Sequence, residues 1–167
     1  MFTQVPVSKF EHKVFSLIKD QWFLITASDP DHINPMTAAW GSVGIMWNRP
    51  IFTIVVRNTR YTHNLLENAS TYTCSFFNSE YRDKLSYCGK NSGRDVDKIK
   101  ETGLTPTFFD NYIGYEEASL VFCCKKASRT LLLPDQFIDE TIIRHYDLKD
   151  YHTQYMGYIE KILQKES

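Results

Sequence analysis

The sequence predicts a mainly β fold with short helices, an antiparallel barrel or sandwich rather than a β–α–β sheet. Three observations carry this. Apolar, β-branched and aromatic runs recur at short spacing from Trp22 onward. Helical periodicity falls only in the connections between them. The last third of the chain returns to strand-like runs instead of alternating with helices.

Taken in order, Ser8-x-x-Glu11 has the form of a capping box, and Phe10, Val14, Phe15, Leu17 and Ile18 follow at helical spacing, which predicts a helix over about 8–19. Trp22–Ala27 reads as a strand and Asp29-Pro30-Asp31-His32 as a turn. Met36–Met46 predicts a strand bent by Gly41 and Gly44, and Ile51–Arg57 a buried strand. A helix over Tyr61–Ala69 precedes a strand at Thr71–Phe77. Two short helices, Glu80–Lys90 and Asp95–Thr102, flank a loop at Gly89–Arg94. Ser119–Lys126, Gln136–Tyr146 and Tyr155–Leu163 complete the strands. No repeat, low-complexity tract or Gly/Ser linker interrupts the chain, so residues 1–167 read as a single domain.

Composition narrows the function classes. Apolar residues at 43% and charged ones at 23% are ordinary for a globular chain, and a 14% aromatic share argues against disorder. Nineteen basic against twenty acidic residues leave a net charge of −1, which argues against nucleic-acid binding through bulk electrostatics. No signal peptide opens the sequence, and the longest charge-free run, around Ile33–Asn48, is too short to span a bilayer. A cytoplasmic protein without membrane or nucleic-acid partners is expected. Cys74, Cys88, Cys123 and Cys124 form no C-x-x-C pair, so free thiols are expected. Cys123 and Cys124, as strand neighbours, would point to opposite faces.

Familiar catalytic and nucleotide signatures are absent: G-x-G-x-x-G, G-x-x-x-x-G-K-[ST], H-E-x-x-H and G-x-S-x-G do not occur, and the five histidines are dispersed. Four segments carry chemistry of another kind. In Asn34–Ser42, Trp40 sits among small residues where backbone can approach a flat ligand, although a core-packing Trp fits the same pattern. Arg57–Asn64 joins a strand to a helix start, where free N–H groups, two Arg and two Thr suit a phosphate. A solvated cap on Thr59 or Thr62 accounts for the same residues. In Tyr87–Lys98, two glycines permit a tight loop, Asp95 suits a helix cap, and Lys98 one turn in serves either an anion or the surface. His152, just before the final strand, is read alone as a surface or satisfied polar residue.

Together these segments resemble the flavin reductase-like family. The resemblance rests on N-P-M-T-A-A-W-G at Asn34–Gly41, W-N-R-P at Trp47–Pro50 and V-R-N-T-R-Y-T-x-N at Val56–Asn64. It continues through S-F-F at Ser75–Phe77, Y-C-G-x-x-S-G-R-D-x-D-K at Tyr87–Lys98, T-G-L-T at Thr102–Thr105 and D-Y-H-x-x-Y-x-G at Asp150–Gly157. It implies a split β-barrel of Greek-key-like antiparallel strands that binds FMN without a covalent bond, as a homodimer. By resemblance, Asn34, Thr37, Ala38, Ala39, Trp40 and Gly41 line the isoalloxazine. Arg57, Arg60, Tyr61, Thr62 and Asn64 surround the ribityl phosphate, with Lys98 as counter-charge, while Cys88, Gly89 and Ser92 belong to a loop closing over the cofactor. His152 matches a histidine near the flavin or the incoming nicotinamide. The implied activity is hydride transfer from NADH or NADPH to flavin N5. The alternative is a flavoredoxin-like electron carrier that serves a redox protein partner.

Overall fold

The computed structural model describes residues 1–27 and 32–166, so most of the turn expected at 29–32 lies outside the described residues. The strands are β1 (Phe2–Gln4), β2 (Phe23–Ala27), β3 (Pro35–Ala38), β4 (Gly41–Met46), β5 (Arg49–Arg57), β6 (Thr71–Phe76), β7 (Pro106–Phe109), β8 (Tyr112–Tyr115), β9 (Leu120–Leu131) and β10 (His152–Lys165). The α-helical segments are α1 (Val14–Ser16), α2 (Tyr61–Asn68), α3 (Arg82–Lys90) and α4 (Lys98–Thr102). Among the described residues, no helix is long and apolar enough to cross a membrane.

One antiparallel sheet runs β3-β2-β6-β9-β10-β5-β4, with β1 added along β10 and a separate β7-β8 hairpin. The two ends of that order, β3 and β4, are consecutive in the chain and separated only by Ala39 and Trp40. The sheet therefore curls until its edges meet at a two-residue covalent link, without a hydrogen-bonded ladder between them. Gly41 begins β4 because a Cβ there would stand 2.6 Å from the Thr53 carbonyl oxygen. The sheet is a split barrel whose seam opens beside Trp40.

Period-2 alternation fills both faces. Phe23, Ile25, Phe52, Ile54, Tyr72, Cys74, Phe76, Phe122 and Cys124 turn into the barrel, where Phe52 and Phe122 meet edge to face at 5.1 Å. Their chain neighbours Leu24, Val121 and Cys123 face a second core with Phe77, Leu85, Cys88, Tyr112 and Tyr115, covered by α3 and the β7-β8 hairpin. Cys123 and Cys124 thus point to opposite faces, and all four cysteines are free and buried.

Several local expectations are corrected. The helix expected over 8–19 is broken into a 3-10 turn at Val7–Lys9, α1, and a π-type turn at Leu17–Gln21. Phe10 leaves the helical path to pack on Phe122 at 5.2 Å, so tertiary burial overrides the local capping pattern. Met36–Met46 is two strands at opposite ends of the sheet order. Gln136–Tyr146 is no strand: it holds 3-10 turns at Pro134–Gln136 and Glu140–His145. There the Asp139 carboxylate accepts from the Thr141 amide at 2.9 Å and hydroxyl at 2.7 Å, which nucleates a turn instead of an extended run. Asp97, not Asp95, caps α4, accepting from Ile99 and Lys100. His152 opens β10 rather than preceding it.

Candidate functional site

A groove follows the seam. Its apolar end, about 190 Å³, is walled by Met36, Thr37, Ala38, Ala39, Trp40 and Val55, with Arg57, Arg60 and His152 at its border. Its polar end, about 460 Å³, is walled by Asn34, Thr59–Thr62, the loop Asn91–Asp95, Lys98 and Asp150. Met36, Arg57 and Arg60 belong to both, so the two ends form one continuous cleft.

The polar end is built around the start of α2. Arg60 is its N-cap with extended backbone, and no side chain caps the helix. The expected Thr59 or Thr62 cap is therefore not made. Thr62 is buried and accepts a 2.7 Å bond from Asn34 Nδ2. Asn34 Oδ1 is buried and has no partner among the described residues. Such an orphan acceptor costs about 1–3 kcal/mol, a deficit that a donor entering the groove would relieve. Gly93 passes so close that a Cβ would lie 2.0 Å from Asn34 Oδ1, so only glycine lets the loop close here. Arg94 pins that loop to the helix start, donating to Thr59 O at 3.0 Å with its guanidinium 5.5 Å over the Tyr61 ring.

The three cations differ in what holds them. Arg57 is paired with Asp150 at 2.6 Å and donates to His145 O at 2.8 Å. Arg60 donates to Gly89 O at 3.1 Å and, among the described residues, pairs with no carboxylate. Lys98 is buried as the first residue of α4, and its Nζ donates to Pro35 O and Cys88 O, both at 2.9 Å. Burial lowers its pKa to about 8, helped by Arg60 and opposed by Cys88. The helix dipole does not favour a cation at a helix start, and the two carbonyls supply the compensation.

At the apolar end Trp40 is 46% exposed, so it is a wall of the groove and not a core residue. The His152 ring lies 5.3 Å from it, and burial pushes the imidazole pKa down to about 4, reinforced by Arg57 and Arg60 and opposed by Asp150. Thr37 is tied to α3 through Leu85 O at 2.5 Å.

Most expected site residues therefore converge on the groove: Asn34, Thr37, Ala38, Ala39, Trp40, Arg57, Arg60, Tyr61, Thr62, Ser92, Lys98 and His152 line it. Asn34 lies at its polar end, apart from the ring-like slot of Thr37–Trp40. Gly41, Asn64, Cys88 and Gly89 are not among the lining residues. Cys88 packs in the second core, its thiol pKa raised to about 11 by burial, and Asn64 is exposed on α2. Sequence reasoning gave no role to Val55, Asn91 or Asp150. Val55 was findable, since it faces away from its buried neighbours Ile54 and Val56.

Comparison with family models matches the flavin reductase like domain over residues 15–166. Among solved structures, a flavoredoxin from Methanosarcina acetivorans is similar at 20% identity, over 87% of this chain and 69% of that one, with a TM-score of 0.69. An FMN-binding protein from Thermus thermophilus with bound p-hydroxybenzaldehyde is 22% identical over 99% and 81%, at 0.68. A Shewanella frigidimarina protein described as having a split barrel domain is 15% identical over 96% and 77%, at 0.69. Comparison with curated proteins gives no match. The order of segments, the seam with its cleft and the match across residues 15–166 agree: the chain belongs to the flavin reductase like domain family.

Proposed function

We propose that the groove binds FMN and that the chain is an NAD(P)H-dependent flavin reductase. The observation that carries this is one cleft running from an aromatic slot at Trp40 to an uncapped helix start beside Arg60. A flat ring system with an anionic tail fits such a cleft. The residues fit the cofactor: Thr37–Trp40 flank the ring, the α2 start with Arg60, Tyr61 and Thr62 faces the phosphate, and Asn34 Oδ1 awaits a hydroxyl donor. Arg57 sits at the junction of the two ends, and Lys98 braces the polar wall. Bound there, FMN supplies the hydride and electron transfer chemistry itself. The chain's residues bind, orient and exclude water; no general base is needed, and the neutral His152 is a hydrogen-bonding wall and not a proton source at pH 7.

The similarity to a flavoredoxin favours a second reading, an electron carrier that exchanges electrons with a redox protein partner. In both readings the chain is a homodimer. Support comes from the exposed apolar side chains Ile45, Met46 and Trp47 at the end of β4. Four free cysteines fit a reducing, cytoplasmic setting.

Anaerobic reduction of the flavin-loaded protein by each nicotinamide is the test. Bleaching by NADH or NADPH is the expected result; bleaching only by a reduced partner protein selects the carrier, and failure to take up FMN rejects both. Arg60→Ala is expected to weaken FMN binding about 10- to 100-fold, the worth of one charge-assisted bond. An unchanged affinity would misplace the phosphate.

A further inference from the structure

The segment between β9 and β10 sends Asp150 into the groove and Tyr146 against His152 at its border. Tyr146 is 5% exposed, and its hydroxyl lies 2.8 Å from His152 Nδ1. Its ring is fixed on three sides: stacked on Phe137 at 5.7 Å, against Tyr151 at 5.0 Å and under the Arg57 guanidinium at 5.2 Å. Burial raises the phenol pKa, so the hydroxyl keeps its proton. Among the described residues Nδ1 is the one acceptor that hydroxyl reaches, so the buried phenol proton is directed to it. A neutral imidazole that accepts at Nδ1 carries its own proton on Nε2. Nε2 has no hydrogen-bond partner among the described residues, and His152 borders the apolar end beside Trp40.

We infer that Tyr146 is a positioning residue whose hydroxyl fixes His152 as the neutral Nε2–H tautomer, so that the groove is offered a hydrogen-bond donor beside Trp40. This rests on the reading of the groove as a flavin site, and it deepens that reading: the donor recognises a carbonyl oxygen or an unprotonated ring nitrogen of the bound ring system. The charged and titratable groups facing His152 are Arg57 and Arg60, which oppose a second proton on the ring, Asp150, which favours one, and Tyr146 itself. His145 reaches the cluster through its ring, at the edge of Trp40 and 5.3 Å away, and through its carbonyl oxygen, which accepts from Arg57.

Long-range ¹⁵N–¹H correlation spectra of the histidine rings in the ligand-free full chain test the inference directly. The expected result is an Nε2-protonated His152 at pH 7 that remains neutral at pH 5. In Tyr146→Phe the ring divides between tautomers, and its titration midpoint rises by about one pH unit, the size of one lost hydrogen bond to the neutral form. A wild-type ring protonated on Nδ1, or charged at pH 7, overturns the inference. So does a folded Tyr146→Phe protein with unchanged tautomer and midpoint. If Tyr146→Phe does not fold, the wild-type spectrum, with Nδ1 at the shift of a strongly hydrogen-bonded acceptor, decides alone. Addition of FMN separates the two readings. A fixed Nε2–H tautomer whose resonances do not respond to FMN keeps Tyr146 in its positioning role and removes the flavin from this wall.

Discussion

Lys98 shows how a charge can be legible in a sequence while its partners are not. Its place near a helix start suggested either an anion or the surface. The structure instead buries the ammonium between Pro35 O and Cys88 O, joining β3 to the end of α3. Because its pKa is lowered from 10.5 to about 8, this group binds more protons in the unfolded chain between those values, and its own contribution to stability rises with pH across that window. The buried thiols, with raised pKa values, act in the opposite sense over the same range, so the Lys98 part is read as a difference: from pH 8 to pH 10 the denaturant midpoint of Lys98→Met should fall further than that of the wild type. His152 works in the same sense at lower pH: with its pKa lowered from 6.5 to about 4, stability falls as pH drops through that interval. The fall should be smaller in His152→Gln. Trp40 was legible as a groove residue because a ring stands there among small residues, and Arg60 and Thr62 because charge and hydroxyl meet at a helix start. Tyr146 was not, because it reaches the groove from a segment whose apolar residues resemble a strand.

At the scale of elements, the link Ala39–Trp40 governs the site, since it both closes the sheet and forms a wall of the groove. Strands β2, β5 and the first half of β9 were legible from their apolar runs, and β6 from its alternation of Thr and Ser with Tyr, Cys and Phe. What escaped was pairing: no local pattern states that β3 and β4 stand at opposite ends of the sheet. The close approach of β4 to β5 makes Gly41→Ala costly, by about 1–3 kcal/mol, because the added Cβ meets a backbone carbonyl that cannot step aside. Urea unfolding would measure it, and a loss near zero would mean that β4 can shift. Asp139→Ala should cost about 1 kcal/mol by removing the turn cap, and it should loosen Tyr146 with it, readable as a shift of the His152 ring resonances.

For the whole molecule, one sheet shared by two cores makes the strands common property: β2, β6 and β9 contribute alternate residues to each side. Phe122→Ala, which removes a ring in contact with Phe10, Phe52 and Phe76, should destabilise the barrel side by about 3–5 kcal/mol. The distribution of the cysteines has a consequence of its own. Cys74 and Cys124 lie in the barrel core, Cys88 and Cys123 in the other, and none is exposed. The chain thus carries a matched pair of chemical clocks in each compartment. Under native conditions, the rate at which a thiol reagent reaches each pair reports how often that compartment opens. Equal rates would mean that both cores come apart in one event. Slower modification of Cys124 than of Cys123, adjacent residues on one strand, would show the outer core loosening while the barrel stays shut.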